Sequence, residues 1–166
     1  MIVFVAMATS DELRNAFGNF ATGVTVVTMY DGEEDHAMTV NSFTSVSIDP
    51  QLVLYNADEG TRSYKFTQEA GNYCVNVLGA DQEALSNRFA GQHEEMDDPF
   101  EGIDIRREET GALVFEDAVA YFDCSLWERY DGGDHAIYVG EVEDFGIQQP
   151  EAEALTFFRG GYGALP

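Results

Sequence analysis

Apolar residues recur along this chain at the spacings of short helices and of strands. Leu13, Phe17 and Phe20 follow Thr9-Ser-Asp-Glu12, which has the form of a capping box, at intervals of three or four residues. An amphipathic helix is therefore predicted at the start. Two further short helices are predicted, the first capped by Thr61 and ending near Gly71, the second capped by Asp81 and running from Gln82 to about Phe89 before Gly91.

Strands account for most of the remaining pattern. Residues 24–30 are rich in β-branched side chains, and the turn signal Asp31-Gly32 predicts a hairpin with a strand that reaches Val40. Asp49-Pro50 separates a strand that ends near Ile48 from the next strand, and this pairing, like the first hairpin, is expected to be local and antiparallel. Later strands are predicted at 52–56, 72–78, 118–130 and 136–145. This pattern favours a closed barrel of the β or α+β class in one domain, 1–166.

Two segments lack a clear period. Residues 92–111 are acidic and contain Asp97-Asp-Pro99, so they are interpreted as a long functional loop or flap. Residues 1–8 form an apolar N-terminal extension without a basic region, and they are too few to span a bilayer, which needs roughly 20 residues. A cytoplasmic location is expected, and translation can begin at Met1 or at Met7.

Composition narrows the class of partner. The chain has 8 Lys and Arg against 31 Asp and Glu, a formal charge of −23, which repels nucleic acid and anionic membranes. Neither is expected as a partner. The acids are spread along the chain, which we interpret as adaptation to a saline cytoplasm, with an acidic mesophilic protein as the alternative. Cys74 and Cys124 lie in apolar strand-like sequence and are interpreted as buried thiols.

The stretch from His36 to Pro50 concentrates hydroxyl and amide side chains with almost no charge. Alternate residues of a strand face opposite sides, so one side would be fully polar and the other mixed. The polar side would comprise Thr39, Asn41, Ser45 and Ser47, and the mixed side Val40, Ser42, Thr44, Val46 and Ile48. Such a surface suits a polar, planar heterocycle. A Ser/Thr-rich edge strand without a ligand is the alternative.

The same stretch carries the pattern Thr-x-Asn-Ser-x-x-Ser-x-Ser followed by Asp-Pro. With residues 52–56 and 60–65 it resembles the flavin reductases that serve two-component monooxygenases, members of the FMN-binding split-barrel superfamily. The resemblance implies a mainly β (α+β) fold, a split β-barrel of antiparallel Greek-key type with short flanking helices. It further implies that the stretch surrounds the FMN ring and ribityl chain, through Thr39, Val40, Asn41, Ser42, Ser45, Val46 and Ser47. Thr22 resembles part of the family's first strand.

Arg62 and Lys65, the only lysine, lie within four residues at a predicted helix start. Free amides and the helix dipole favour anions at such a position. The resemblance implies that this segment, together with Ser63, holds the flavin 5′-phosphate. The alternative is that the two cations pair on the surface with nearby acids, namely Asp58, Glu59 or Glu69.

Gly133-Asp134-His135 opens a predicted strand, in a combination that resembles the family. The resemblance implies that His135 lies by the nicotinamide side of the flavin, where it orients the nicotinamide amide or delivers a proton. A lone histidine is otherwise more often structural. Phe89 and Tyr162 fall in stretches that resemble the borders of the flavin pocket, with core packing as the alternative. His36 and His93 have no partners at metal-ligand spacing, so no metal site is expected.

The resemblance as a whole implies an NAD(P)H-dependent flavin reductase that transfers hydride to FMN, or to FAD, and supplies reduced flavin to a separate monooxygenase. NADH or NADPH would bind without a Rossmann domain, because the sequence has no Gly-x-Gly-x-x-Gly turn. A homodimer is implied as well. Two alternatives stay open: an FMN-binding electron-transfer protein resembling flavoredoxin, and a non-enzymatic acidic protein that binds a basic partner.

Overall fold

The computed structural model describes residues 9–91 and 96–165, so the predicted N-terminal extension lies outside the described residues. The described residues form three α-helices, α1 (Ser10–Phe17), α2 (Arg62–Ala70) and α3 (Glu83–Phe89). They also form twelve strands: β1 (Thr22–Gly23), β2 (Thr25–Tyr30), β3 (Asp35–Val40), β4 (Thr44–Ile48), β5 (Gln51–Asp58), β6 (Asn72–Val77), β7 (Ile105–Arg107), β8 (Leu113–Phe115), β9 (Ala120–Asp131), β10 (His135–Ile147), β11 (Ala154–Phe158) and β12 (Gly161–Leu165).

Seven of these strands form one antiparallel sheet in the order β3-β2-β6-β9-β10-β5-β4. The predicted hairpins are present, because β2 pairs with β3 and β4 pairs with β5. A second sheet has the order β1-β11-β12, and β7 pairs with β8 alone. The expected mainly β, antiparallel split-barrel fold with short flanking helices is confirmed.

The seven-stranded sheet is covered on both faces, and β2 shows this most clearly. Its alternate residues Val27 and Met29 join a buried cluster with Tyr55, Tyr73 and Tyr138, which α2 closes through Phe66. Val24 and Val26 join a second cluster on the opposite face, built with residues of α3, β8 and β11. Residues 24–30 carry no charge, and the buried hydroxyls of Thr25 and Thr28 donate to the carbonyls of Val40 and Leu113, so the strand can be buried on both faces.

The helix predictions are confirmed in part. The capping box of α1 is present: the Thr9 hydroxyl accepts from the Glu12 amide, and the Glu12 carboxylate accepts from the Thr9 amide. Thr61 caps α2, and Gly71 ends it in the left-handed conformation. The cap assigned to Asp81 is wrong. That residue lies inside a 3-10 turn, Ala80–Gln82, whose start is held by the Gln82 side chain accepting from the Gly79 amide, and α3 begins only at Glu83.

The acidic segment is more ordered than an aperiodic loop over its described part. Residues 92–95 lie outside the described residues, but Ile105–Arg107 form β7, which pairs with the buried strand β8. Arg107 forms a bidentate ion pair with Asp35 at 2.7 and 2.9 Å, and its guanidinium stacks on Tyr30. Three residues are too short a run for periodicity to reveal, which is why the prediction of a loop missed β7.

Candidate functional site

A large, mainly apolar cavity with predicted site residues in its wall lies where β3 ends. A cavity of about 510 Å³ is lined by Arg14, Phe17, Gly18, Phe20, Thr22, Asn41 and Phe157. A second cavity of about 180 Å³ is lined by Val24, Thr39, Asn41, Ser86, Ala90, Phe157 and Tyr162. The two cavities share Asn41 and Phe157, so they adjoin. We call them together the Asn41 groove.

Hydrogen bonds fix one wall of the Asn41 groove. The Thr39 hydroxyl donates to the Ser86 carbonyl at 2.6 Å, which ties β3 to α3. The Tyr162 hydroxyl donates to Asn87 Oδ1 at 3.1 Å and lies 2.9 Å from the Ser86 hydroxyl. Three elements that are distant in sequence are thereby locked together. The wall is a set of polar groups whose positions are set before any ligand arrives.

The Thr22 hydroxyl is the exception within the Asn41 groove. Its oxygen is buried, and it has no hydrogen-bond partner among the residues that the structure describes. A buried hydroxyl left without a partner costs about 1–3 kcal/mol, so such a group is expected to meet a ligand or a bound water. Apolar side chains of Phe17, Phe20 and Phe157 line the same space. A flat heterocycle with polar and apolar edges fits this combination.

Another cavity, separate from the Asn41 groove, lies nearer the start of β3. We call it the Arg62 pocket. It measures about 310 Å³ and is lined by Glu34, Asp35, His36, Ala37, Arg62, Met96, Asp97, Pro99 and Phe100. Arg62 pairs with Glu34 at 2.6 Å, and Lys65 is exposed one turn later on α2. Ser63 is buried, and its hydroxyl lies 2.7 Å from His36 Nε2. The pocket therefore combines one arginine side chain with a helix start, and Lys65 lies nearby on the same helix.

The Arg62 pocket and the Asn41 groove both lie along β3, although His36 of the pocket faces the side of the strand opposite to Thr39. Asp35 and Ala37 line the pocket and Thr39 lines the groove, so the three alternate residues share one face of the strand. Four residues of strand separate Asp35 from Thr39, which corresponds to roughly 13 Å. The pocket and the groove therefore lie near opposite ends of β3.

The remaining residues of the polar stretch lie elsewhere. The single polar side expected from residue alternation is wrong, because β3 ends at Val40 and β4 begins at Thr44, and the β4–β5 register shifts between Ser45 and Ser47. Ser42 accepts from the Asn56 amide at 3.0 Å and donates to the Asn56 carbonyl at 3.2 Å, which continues the ladder of β5. Its hydroxyl is therefore occupied by the fold.

Ser45 and Ser47 line a third cavity, together with apolar side chains of β4, β5, β9 and β10, namely Ile48, Leu52, Val53, Phe122, Val142 and Phe145. Val46 is 48% exposed. Val40 is buried in the cluster that contains Tyr55, Tyr73 and Tyr138. Phe89 is buried in the cluster that contains Val24 and Val26. Its ring contacts the rings of Phe100 and Phe115 at centroid distances of 5.3 and 5.9 Å. The side chain of Phe89 therefore packs in the core, which was the alternative to a place at the border of the flavin pocket.

His135 is the first residue of β10, directly opposite Asp58 of β5. Its Nδ1 lies 2.8 Å from the Asp134 carboxylate, and its side chain is 42% exposed. The hydrogen bond from His135 lowers the pKa of Asp134 below the usual carboxyl range. Because Nδ1 faces Asp134, a proton exchanged with a ligand would pass through Nε2. The imidazole is thus oriented and open to solvent.

The family model described as "Flavin reductase like domain" matches residues 17–166. This chain belongs to the flavin reductase family. The predicted family is therefore confirmed, and the family match includes the Asn41 groove from Phe17 onward, the Arg62 pocket and His135.

Relatives of this flavin reductase carry the same kind of name. It is 41% identical over 151 residues to a "Probable flavin reductase" of Rhizobium meliloti, covering 90% of this chain and 47% of that relative, about half its length. It is 35% identical over 153 residues to the reductase subunit of a flavin-dependent monooxygenase of Mycobacterium tuberculosis, covering 92% of this chain and 80% of that one. The NADH:FAD oxidoreductase of Streptomyces globisporus, solved with NAD and FAD fragments, superposes with a TM-score of 0.89 at 36% identity, covering 99% and 98% of the two chains.

Several contacts of the flavin reductase had no signal in the sequence. Arg107 reaches Asp35 across 72 residues, and Tyr162 reaches Ser86 across 76. Neither pair is near in sequence, so only the packing of separate sheets and helices brings the residues together. Over the described residues no helix is long and apolar enough to cross a membrane, and no group of three or more His, Cys, Asp or Glu side chains could hold a metal ion.

Proposed function

We propose that this flavin reductase holds its flavin along β3, with the ring in the Asn41 groove and the phosphate in the Arg62 pocket. The enzyme is an oxidoreductase, and a bound FMN or FAD supplies the ring that accepts hydride from NADH or NADPH. The observation that carries the proposal is the buried Thr22 hydroxyl in the groove, which lacks a partner among the described residues. Because the groove combines such a donor with aromatic side chains, its chemistry fits a flavin.

At the ring end, the protein's task is positioning. The Thr22 hydroxyl supplies a donor for a polar edge of the ring, and the Asn41 amide lies at the junction of the two cavities. Thr39 and Tyr162 hold the wall through Ser86 and Asn87. Donors that are already oriented stabilise an electron-rich ring without reorganisation at the moment of hydride transfer. Phe157 supplies an apolar surface and excludes water.

At the phosphate end, Arg62 and Lys65 supply charge and Ser63 supplies a hydroxyl near the start of α2. His36 sets the direction of that hydroxyl, because its Nε2 and the Ser63 oxygen are within hydrogen-bond distance. Helix amides and cations together suit a phosphate. The separation of roughly 13 Å along β3 leaves the ribityl chain to span the distance between pocket and groove.

We assign the nicotinamide side to His135, which starts β10 beside Asp58. Asp134 holds the imidazole through Nδ1, so Nε2 can orient the nicotinamide amide or pass a proton. Reduced flavin would then leave for a separate monooxygenase, as the name of the Mycobacterium tuberculosis relative suggests for that protein. We place the reaction in a saline cytoplasm, in line with the charge of −23.

We further propose that the chain acts as a homodimer. Large apolar side chains are exposed at the end of α1, just after it, and on β4 and β10, namely Phe17 at 67%, Phe20 at 77%, Ile48 at 85% and Ile147 at 74%. Apolar surface of this kind usually marks an interface. A second copy covering the cavity of Ser45 and Ser47 would desolvate Ile48 and enclose these two hydroxyls, which lie apart from the Asn41 groove.

The experiment that tests the function compares flavins with and without phosphate. Arg62→Ala combined with Lys65→Ala should weaken FMN by about 10- to 100-fold, because a charge-assisted hydrogen bond contributes about 1.5–3 kcal/mol. Riboflavin, which has no phosphate, should bind the variant and the parent equally. Equal losses for both flavins would contradict the phosphate assignment.

A steady-state assay of NADH and NADPH against FMN, FAD and riboflavin tests the activity itself. Oxidation of a nicotinamide that depends on added flavin is the expected result. Flavin that stays bound through gel filtration, with negligible nicotinamide oxidation, would instead indicate an electron carrier. Purified protein that binds no flavin at all would indicate the non-enzymatic alternative.

A further inference from the structure

The partner of Arg62 in this structure is a carboxylate. Glu34 Oε2 lies 2.6 Å from Arg62 Nη2, and both side chains are a little over half exposed. Both residues line the Arg62 pocket. The contact joins the turn before β3 to the start of α2, 28 residues apart. The guanidinium that is available to bind a phosphate is therefore already bound to an anion.

The backbone that carries Glu34 is held in place. The Asp31 carboxylate accepts from the amides of Glu33 and Glu34 at 2.9 and 2.8 Å, which closes the turn between β2 and β3. These backbone hydrogen bonds lower the pKa of Asp31, so the turn stays anchored by a charged group at neutral pH. The turn therefore holds the backbone of Glu34 in a position from which its side chain reaches Arg62.

A carboxylate and a phosphate bind an arginine side chain in the same way. Both accept from the planar fork of the guanidinium, and both are anions. Among the described residues that line the Arg62 pocket, Arg62 is the only lysine or arginine, while Glu34, Asp35 and Asp97 are acidic. A phosphate entering this pocket must displace Glu34 from Arg62 or share the guanidinium with it.

We propose that Glu34 is an internal competitor for Arg62, which limits the affinity of the enzyme for the flavin phosphate. This inference rests on the proposed function. Binding of FMN or FAD breaks the Glu34–Arg62 pair, and departure of the flavin restores it. The pair thus returns part of the free energy lost when the phosphate leaves. An enzyme that hands its reduced flavin to another protein benefits from such a contact, because tight retention would oppose release.

The test neutralises the competitor without removing its side chain. Glu34→Gln should tighten FMN about two- to fivefold at low salt, the range of equilibrium constants that corresponds to an exposed ion pair. Riboflavin affinity should not change, because riboflavin has no phosphate to compete. The gain for FMN should shrink at 1 M potassium chloride, where the Debye length falls to about 3 Å. Isothermal titration or flavin fluorescence gives each dissociation constant.

Glu33→Gln is the matched control. Glu33 carries the same charge on the same turn and is exposed, and its carboxylate forms no ion pair with any described residue. It therefore reports how much of any change comes from net charge alone. A second control places Glu34→Gln in the Arg62→Ala background, where the gain should vanish because the competition has no target.

Two results would overturn the inference while leaving the proposed function intact. FMN affinities that match between Glu34→Gln and Glu33→Gln would show that only net charge matters. Weaker FMN binding in Glu34→Gln would show that Glu34 orients Arg62 for the phosphate. Either result leaves flavin reduction by the parent enzyme intact, so the proposed function survives. A parent enzyme that binds FMN no better than riboflavin would instead refute the phosphate site and the competitor together.

Discussion

Gly140→Ala is the substitution that the packed interior should tolerate least. Gly140 lies on β10 between Val53 and Leu126 of the neighbouring strands. A Cβ at this position would lie 2.5 Å from the hydroxyl oxygen of Tyr73, 2.7 Å from its Cζ and 2.8 Å from the Cβ of Cys124. Real Cβ atoms essentially never approach other atoms so closely. One of the neighbours must move.

Tyr73 has little freedom to move. Its side chain is fully buried, its hydroxyl donates to the carbonyls of Val53 and Tyr138 at 3.3 and 3.4 Å, and its ring meets Tyr55 edge to face at 4.9 Å. Overpacking costs about 1–3 kcal/mol, and a lost buried hydrogen bond adds about 1 kcal/mol. We expect Gly140→Ala to lower the free energy of unfolding by about 2–4 kcal/mol.

Thermal and urea unfolding measure this loss. For a chain of this size about 2–4 °C of Tm corresponds to each kcal/mol, so Tm should fall by about 4–16 °C. Gly161→Ala is the control, because the nearest atom to its added Cβ is a carbonyl oxygen at an ordinary 3.8 Å. Tyr73→Phe in the Gly140→Ala background should recover part of the loss by removing the closest atom. A Gly140→Ala variant as stable as Gly161→Ala would refute the packing argument.

Three further predictions concern the site, pH and salt. His135→Asn should lower the turnover of NADH or NADPH by about tenfold or more while the FMN dissociation constant stays within a few-fold; an unchanged rate in stopped-flow reduction would make His135 structural. Burial raises the pKa of Asp123, which accepts from the amide and hydroxyl of Thr110. The Asp123 carboxyl therefore holds its proton more tightly in the folded state than in the unfolded chain. The stability that Asp123 contributes consequently falls as pH rises from about 4 through its raised pKa. Asp123→Asn should flatten that slope in urea titrations, and an unchanged slope would exclude Asp123 as its source. Salt should raise Tm and lower KM for the nicotinamide between 0.1 and 1 M potassium chloride, since the Debye length shrinks from about 10 to about 3 Å; flat values would show that the acidity is incidental.

Local signals in the sequence were enough for most of the secondary structure. The capping box at Thr9, the Thr61 cap with its Gly71 end, and both hairpins depend on residues a few positions apart, and each is present. The β-branched residues of 24–30 likewise predicted a strand, and β2 is present there. The resemblance of residues 39–50 to a known family added the fold class and the flavin chemistry.

Contacts between distant segments could not be deduced in this way. Asp35 of β3 meets Arg107 of β7, although these two strands belong to different sheets. The bend between β3 and β4 separates Thr39 from Ser45, although one alternating pattern had placed them on a single side. The Glu34–Arg62 pair joins a turn to a helix start, and the sequence of neither segment indicates that the two lie in contact. Local propensity acts over three or four residues, whereas these pairings arise from which strands lie side by side, a choice made by packing the whole sheet at once.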